Sequence, residues 1–129
     1  MKTSHVESAL EQMSFDVTEN SFGMEMAVSE PATLKFTESP KYDKDKINSA
    51  ISNKNMAVID EYEQTTDDSW KYEFYAVAFE PYTKLKVKMW PNSVNIYPKE
   101  GPTIGQLAQL TNAIERSMNA TLTHDTDDL

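Results

Sequence analysis

The sequence predicts a single α+β domain built on an antiparallel sheet, in the element order α-β-β-α-β-β-β-β-α, with the C-terminal helix packed on one face of the sheet. Three observations point there. Residues 70–97 hold three stretches of alternating apolar and polar residues, rich in aromatic and β-branched side chains and separated by short breaks. Those breaks are too short for a crossover, so neighbouring strands are antiparallel. After Pro102 the apolar residues switch to helical spacing for about four turns. With 129 residues, 39% hydrophobic and 26% charged, the chain has the length and composition of one globular core.

Ser4 and Glu7 make a capping-box pattern, and Val6, Ala9, Leu10 and Met13 share one helical face, which predicts a short amphipathic helix over 4–13. Phe22, Met24, Met26 and Val28 alternate with Gly23, Glu25 and Ala27. Ser29, Glu30 and Pro31 then interrupt, and Leu34 and Phe36 resume the alternation, predicting a hairpin. Ile47, Ala50 and Ile51 follow Asp43 and Asp45 at helical spacing and predict a helix over 43–53. Residues 56–62 read as a strand and 65–69 as a loop; 70–79, 84–90 and 94–97 then form a three-stranded meander. Pro102 and Thr103 open the last helix, whose Ile104, Leu107, Ala108, Thr111, Ile114 and Met118 line one face. Residues 1–118 are expected to form the domain and 119–129 an acidic, flexible tail.

The meander also predicts its own two faces. With Glu80 to Thr83 as a tight turn, Ala78 falls opposite Leu85, Ala76 opposite Val87 and Phe74 opposite Met89, while the next turn sets Met89 against Val94 and Val87 against Ile96. All are apolar, and a one-residue slip in either hairpin would put lysines into the core. The C-terminal helix is the natural cover for this face. The pleat sends Tyr75, Val77, Phe79, Lys84, Lys86, Lys88, Trp90, Asn95 and Tyr97 to the other side, with Lys71 and Lys99 at its margins. Four rings among like-charged lysines expose apolar area and repel one another, so an anionic cover is expected. Stacked bases with phosphates, an acidic peptide, the acidic tail of the same chain or a second copy of the protein would each serve. The plainer structural alternative is that the first helix and hairpin fold over this face.

Twelve Lys and Arg against 21 Asp and Glu give a net charge of -9 and a pI near 4.6, which disfavours nucleic acid or an anionic membrane as partner. The charge is unevenly spread. Between residues 70 and 100, Lys71, Lys84, Lys86, Lys88 and Lys99 face Glu73, Glu80 and Glu100, a local +2 that leaves -11 elsewhere. The absence of Cys and of an apolar N-terminal run predicts a reducing, cytoplasmic location, and no stretch approaches the ~20 apolar residues of a membrane span.

Reactive groups are sparse. His5 and His124 lack any spacing that pairs them with another zinc ligand, and His124 beside Asp125, Asp127 and Asp128 reads as a solvated acidic terminus. Asp43 and Asp45 begin a calcium-loop pattern without its Gly or closing Glu. Gly23, Gly101 and Gly105 are too scattered to cradle phosphates. No Ser lies in a nucleophile elbow, and Asp60 with Glu61 or Asp67 with Asp68 are adjacent loop acids of the solvated kind. No catalytic residue, metal or cofactor is expected.

The order β, α, four strands, α between Ala32 and Met118 resembles one repeat of a TATA-binding-protein-type domain, with Glu80, Pro81 and Thr83 ahead of 84–90 as a local echo. The resemblance covers about two thirds of the chain. It implies helices backing one face of the sheet and DNA binding on the other, where the lysines and rings lie. The chain departs from that family in lacking a second repeat, in its acidic total, in its extra N-terminal helix and strand, and in holding a single arginine, Arg116, on the last helix. It also shares size, acidity and terminal helices with the small acidic chaperones of bacterial secretion systems, in a different strand order.

The expected function is that of a small acidic, non-catalytic accessory or regulatory protein. It would bind another protein, or a second copy of itself, through Tyr75, Phe79, Lys84, Lys86, Lys88, Trp90, Asn95 and Tyr97. Nucleic acid on the same face is one alternative, and an acidic mimic of nucleic acid that inhibits a DNA-binding protein is another.

Overall fold

The structure, a computed structural model, describes residues 26–79 and 82–124. Its elements are β1 (Ala32–Phe36), α1 (Lys44–Ser52), β2 (Ala57–Thr65), β3 (Trp70–Phe79), β4 (Tyr82–Trp90), β5 (Ser93–Glu100), α2 (Ile104–Met118) and β6 (Leu122–His124). The strands form one antiparallel sheet in the order β2-β3-β4-β5-β1-β6, so the mixed α+β class holds, with β, α, four strands, α over residues 32–118. The helix expected over 4–13 and the start of the first hairpin lie outside the described residues.

Alternation in the meander builds the core. Tyr72, Phe74, Ala76, Leu85, Val87, Met89, Val94 and Ile96 are all fully buried on one side of β3, β4 and β5. Ile47 and Ile51 of α1 and Ile104, Leu107, Leu110, Ile114 and Met118 of α2 cover them. Both helices start where the sequence supplies caps. Asp43, expected in the first turn of this helix, is the N-cap of α1, its carboxylate accepting from the backbone N–H of Asp45 at 3.0 Å and of Lys46 at 3.3 Å. Thr103 and Gln106 close a full capping box on α2. The buried Thr111 hydroxyl donates to Leu107 O at 2.8 Å, which satisfies it within its own helix.

Three expectations are corrected. The first hairpin does not form: Val28 N–H donates to Pro102 O and Ile104 N–H to Met26 O, both at 2.9 Å, so the chain before β1 runs beside the start of α2. β1 instead pairs with β5, Ala32 opposite Ile96 and Leu34 opposite Val94, giving the core positions of β5 apolar neighbours that a local hairpin would deny them. The β3–β4 register lies two residues from expectation, with Ala76 opposite Leu85, Phe74 opposite Val87 and Tyr72 opposite Met89. Pairing continues through Ala78 with Thr83 and Phe79 with Tyr82, which adds ladder contacts that a longer turn would forfeit. Because the shift is even, every side chain keeps its face. The β4–β5 register is as expected, Val87 opposite Ile96 and Met89 opposite Val94.

The third correction concerns residues 119–124, read as flexible tail. Asn119 takes the left-handed conformation at φ 51°, and Ala120 N–H returns to Glu115 O at 3.2 Å, reversing the chain. Leu122 N–H then donates to the buried Glu115 carboxylate at 2.9 Å, and the Leu122 side chain is fully buried opposite Phe36. The domain therefore extends to His124, and residues 125–129 lie outside the described residues.

At the other edge, β2 carries a bulge. Ile59 pairs with Tyr75 and Tyr62 with Glu73, so Asp60 and Glu61 together oppose Phe74, with Asp60 at φ 52°. Trp70 leaves the end of β3 on the helix side and stacks on Tyr42 at 4.2 Å, and the Tyr42 hydroxyl donates to Glu63 of β2. Burial, then that hydrogen bond, pushes the Tyr42 phenol up and keeps it protonated.

Candidate functional site: a lysine and aromatic sheet face

The side of the sheet away from the helices is built by the remaining positions of β3, β4 and β5. Tyr75 stands opposite Lys86, Lys86 opposite Tyr97, and Lys88 opposite Asn95, so a tyrosine, a lysine and a tyrosine lie in one row across three strands. Tyr75, Lys86, Lys88, Tyr97 and Lys99 line a shallow basin of about 330 Å³. Trp90 lies at one end of the face, in a smaller cleft of about 210 Å³ with Gln64, Thr66, Ser69, Trp70 and Lys71. Phe79 lies at the opposite end, 66% exposed, its ring 5.7 Å from that of Tyr82 beside the β3–β4 turn. The structure thus brings Tyr75, Lys84, Lys86, Lys88, Asn95 and Tyr97 together, sets Trp90 at the margin and separates Phe79 from them.

The lysines do not simply repel one another. The ammonium groups of Lys84 and Lys86 both sit 4.5 Å from the centroid of the Tyr75 ring. Those of Lys88 and Lys99 sit 5.6 and 6.0 Å from Tyr97, and Lys71 sits 6.0 Å from Trp90. Each ring turns its electron-rich face to a cation, an arrangement worth about 0.5–1 kcal/mol at partly exposed sites. Asn95 Nδ2 donates to the Tyr97 hydroxyl at 3.3 Å, steadying the ring that two lysines share.

A carboxylate that the charge pattern alone does not single out is central here. Glu73 lies between Lys71 Nζ at 2.8 Å and Lys86 Nζ at 3.5 Å. The hydrogen bond from Lys71, with the charges of Lys71, Lys86 and Lys88 behind it, holds Glu73 below the usual carboxylate range despite partial burial. The strand pleat was the available signal, since 73 has the same parity as 71, 75 and 77. Val77 shares this side yet is only 3% exposed, closed in laterally by Ala57 and Lys84 on the adjoining strands.

Two wider grooves lie on the helix side. One, of about 400 Å³, runs between α1 and α2 past Lys46, Asn53, Lys54 and Arg116; the other, of about 450 Å³, passes Met56, Ala78, Phe79, Gln106 and Gln109. The first holds no aromatic ring, and the second is lined by Lys54 as well as Phe79. Among the described residues no group of three His, Cys, Asp or Glu is placed to hold a metal ion, and no helix is long and apolar enough to cross a membrane.

The charge of the described residues also differs from that of the whole chain. Residues 26–79 and 82–124 hold 11 Lys and Arg against 12 Asp and Glu, a net -1, whereas residues 1–25 carry -4 and residues 125–129 carry -3. The acidity thus belongs mainly to the terminal segments, and the lysine face belongs to an almost neutral body. Comparison with protein-family models, curated protein sequences and solved structures finds no match to this chain.

Proposed function

We propose that the chain is a non-catalytic accessory protein of the cytoplasm that binds another protein, through an acidic segment of that partner, on the lysine and aromatic face. The observation that carries this reading is the basin, where Lys86, Lys88 and Lys99 frame Tyr75 and Tyr97 and, among the described residues, no carboxylate lines it. Half-buried rings offer rigid contact area at low entropy cost, and ammonium groups held over them are already oriented. Trp90 adds an aromatic anchor at one end. Trp90→Ala is expected to weaken partner capture about 30-fold, the scale of a hot-spot residue, while leaving the circular dichroism spectrum unchanged. Unaltered capture would count against the face. Light scattering on the purified chain tests for a second copy as the partner.

Nucleic acid is the second reading, favoured by the near-neutral charge of the described body and by rings that single-stranded bases stack on. It predicts retention of a single-stranded oligonucleotide on a filter at low salt, falling steeply with added salt and with Lys86→Gln and Lys88→Gln. Absence of retention at low salt removes it.

A further inference from the structure

The lysine face already holds one carboxylate of its own, and the way it does so is a pattern. Glu73 of β3 lies between the ammonium groups of Lys71, at 2.8 Å, and Lys86, at 3.5 Å, and Lys86 sits in turn 4.5 Å from the Tyr75 ring. Two cations from adjacent strands, one of them over a ring, form a bracket around an anion. The Glu73 side chain within it is only 16% exposed.

A second bracket of the same parts lies one strand further across the sheet. Lys88 of β4 and Lys99 of β5 stand 5.6 and 6.0 Å from the Tyr97 ring. Neither forms an ion pair with a described residue; the lysines that do are Lys44, Lys71 and Lys86. A bulge brings Lys99 in: Leu85 pairs with Pro98 but Lys84 with Glu100, so Lys99 is the extra residue and its side chain is re-aimed. The Tyr97 hydroxyl accepts from Asn95 Nδ2 at 3.3 Å, and its own proton has no acceptor among the described residues. On the outer side the β1–β5 ladder begins at Ala32 opposite Ile96, so β1 does not pair alongside Tyr97. Two cations and an O–H donor thus converge on one ring.

We propose that Lys88, Lys99 and the Tyr97 hydroxyl form the subsite for one carboxylate side chain of the partner, held as Glu73 is held between Lys71 and Lys86. The inference rests on the lysine face being a binding face, and it names the group recognised and the place. Lys71 and Lys86 are already engaged by Glu73, so they supply field there and not contact. A carboxylate accepts from both ammonium groups and the phenol at once, each bond charge-assisted.

The probe is an oligo-glutamate peptide acetylated and amidated at its ends, so that every carboxylate is a side chain. Titrated into isotope-labelled protein at low ionic strength, it is expected to shift the NMR signals of Lys88, Tyr97 and Lys99 most. Lys88→Gln and Lys99→Gln should each weaken binding about tenfold, and Tyr97→Phe, which keeps the ring, about threefold, whereas Lys71→Gln should change it by less than about twofold. Shifts on the face with equal affinity in the parent, Lys88→Gln and Lys99→Gln chains overturn the subsite and leave the face as a binding face. Largest shifts at Lys71 and Lys86, with Glu73 displaced, do the same. Shifts confined to the helix side, or no binding at low salt, overturn both.

Discussion

β3, β4 and β5 present two faces made by the same strands in alternate positions, and they are held by different forces. Toward the helices, Tyr72, Phe74, Val87, Met89 and Ile96 are fully buried, and what they contribute is desolvated apolar area, roughly 25 cal/mol per Å². Away from the helices, Tyr75, Lys84, Lys86, Lys88 and Tyr97 are half-buried, and what they contribute is cation over ring and cation beside the Glu73 carboxylate. The first face supplies the stability of the domain and is indifferent to salt. The second, held by exposed or half-buried charges and rings, contributes less stability. A region that is elaborately arranged and energetically cheap is where binding can be added or lost without unfolding the protein.

Substitutions separate the two faces. The largest effect is expected on the helix side: Phe74→Ala leaves a cavity under α1 and α2 and should lower unfolding free energy by about 3–5 kcal/mol, read from urea melts, equally at low and high salt. A loss below about 1 kcal/mol would mean that the face is not tightly covered. Tyr75→Leu keeps apolar bulk beneath Lys84 and Lys86 but removes the ring quadrupole, so a loss of only about 0.5–1 kcal/mol is expected. An effect as large as that of Phe74→Ala would erase the distinction between the faces.

The smallest effect is expected from Glu73→Gln, and its signature is pH. The folded carboxyl is held below its ordinary value of 4.5, so its contribution is present above that value and lost as pH falls through the lower folded one. The variant should be the less stable protein at pH 7, and the gap should close as the medium is acidified below about pH 4.5. Paired urea melts at pH 7 and pH 3 measure this. A gap independent of pH would show that the Glu73 charge is not what holds Lys71 and Lys86.

What was legible in the sequence was parity. The alternation from Phe74 to Ile96 separates core from lysine face correctly, because a misplaced lysine in the core is costly enough to leave a strong pattern. Register is a weaker signal: a shift of two preserves the pattern, so nothing in the alternation distinguishes Tyr75 opposite Lys86 from Tyr75 opposite Lys88. Partners distant in sequence were harder still. The pairing of β1 with β5 depends on which edge is free once the meander exists, and a local hairpin looks equally good from residues 26–36 alone. β6 was hidden by its polar surroundings, although Ala120 and Leu122 alternate there. Within the site, the lysines and tyrosines stood out by type, while Glu73 looked like any surface acid until its position between two lysines was seen.

The bulge in β2 has a consequence for how this molecule meets others. A foreign strand laid along that border would find Ala57–Ile59 in one phase and Tyr62–Thr65 in another, with Asp60 and Glu61 bulging out of the ladder between them. The far border is three residues long among the described residues. Among the described residues neither rim offers a long unbroken template, which disfavours sideways growth of the sheet into a ribbon or fibre.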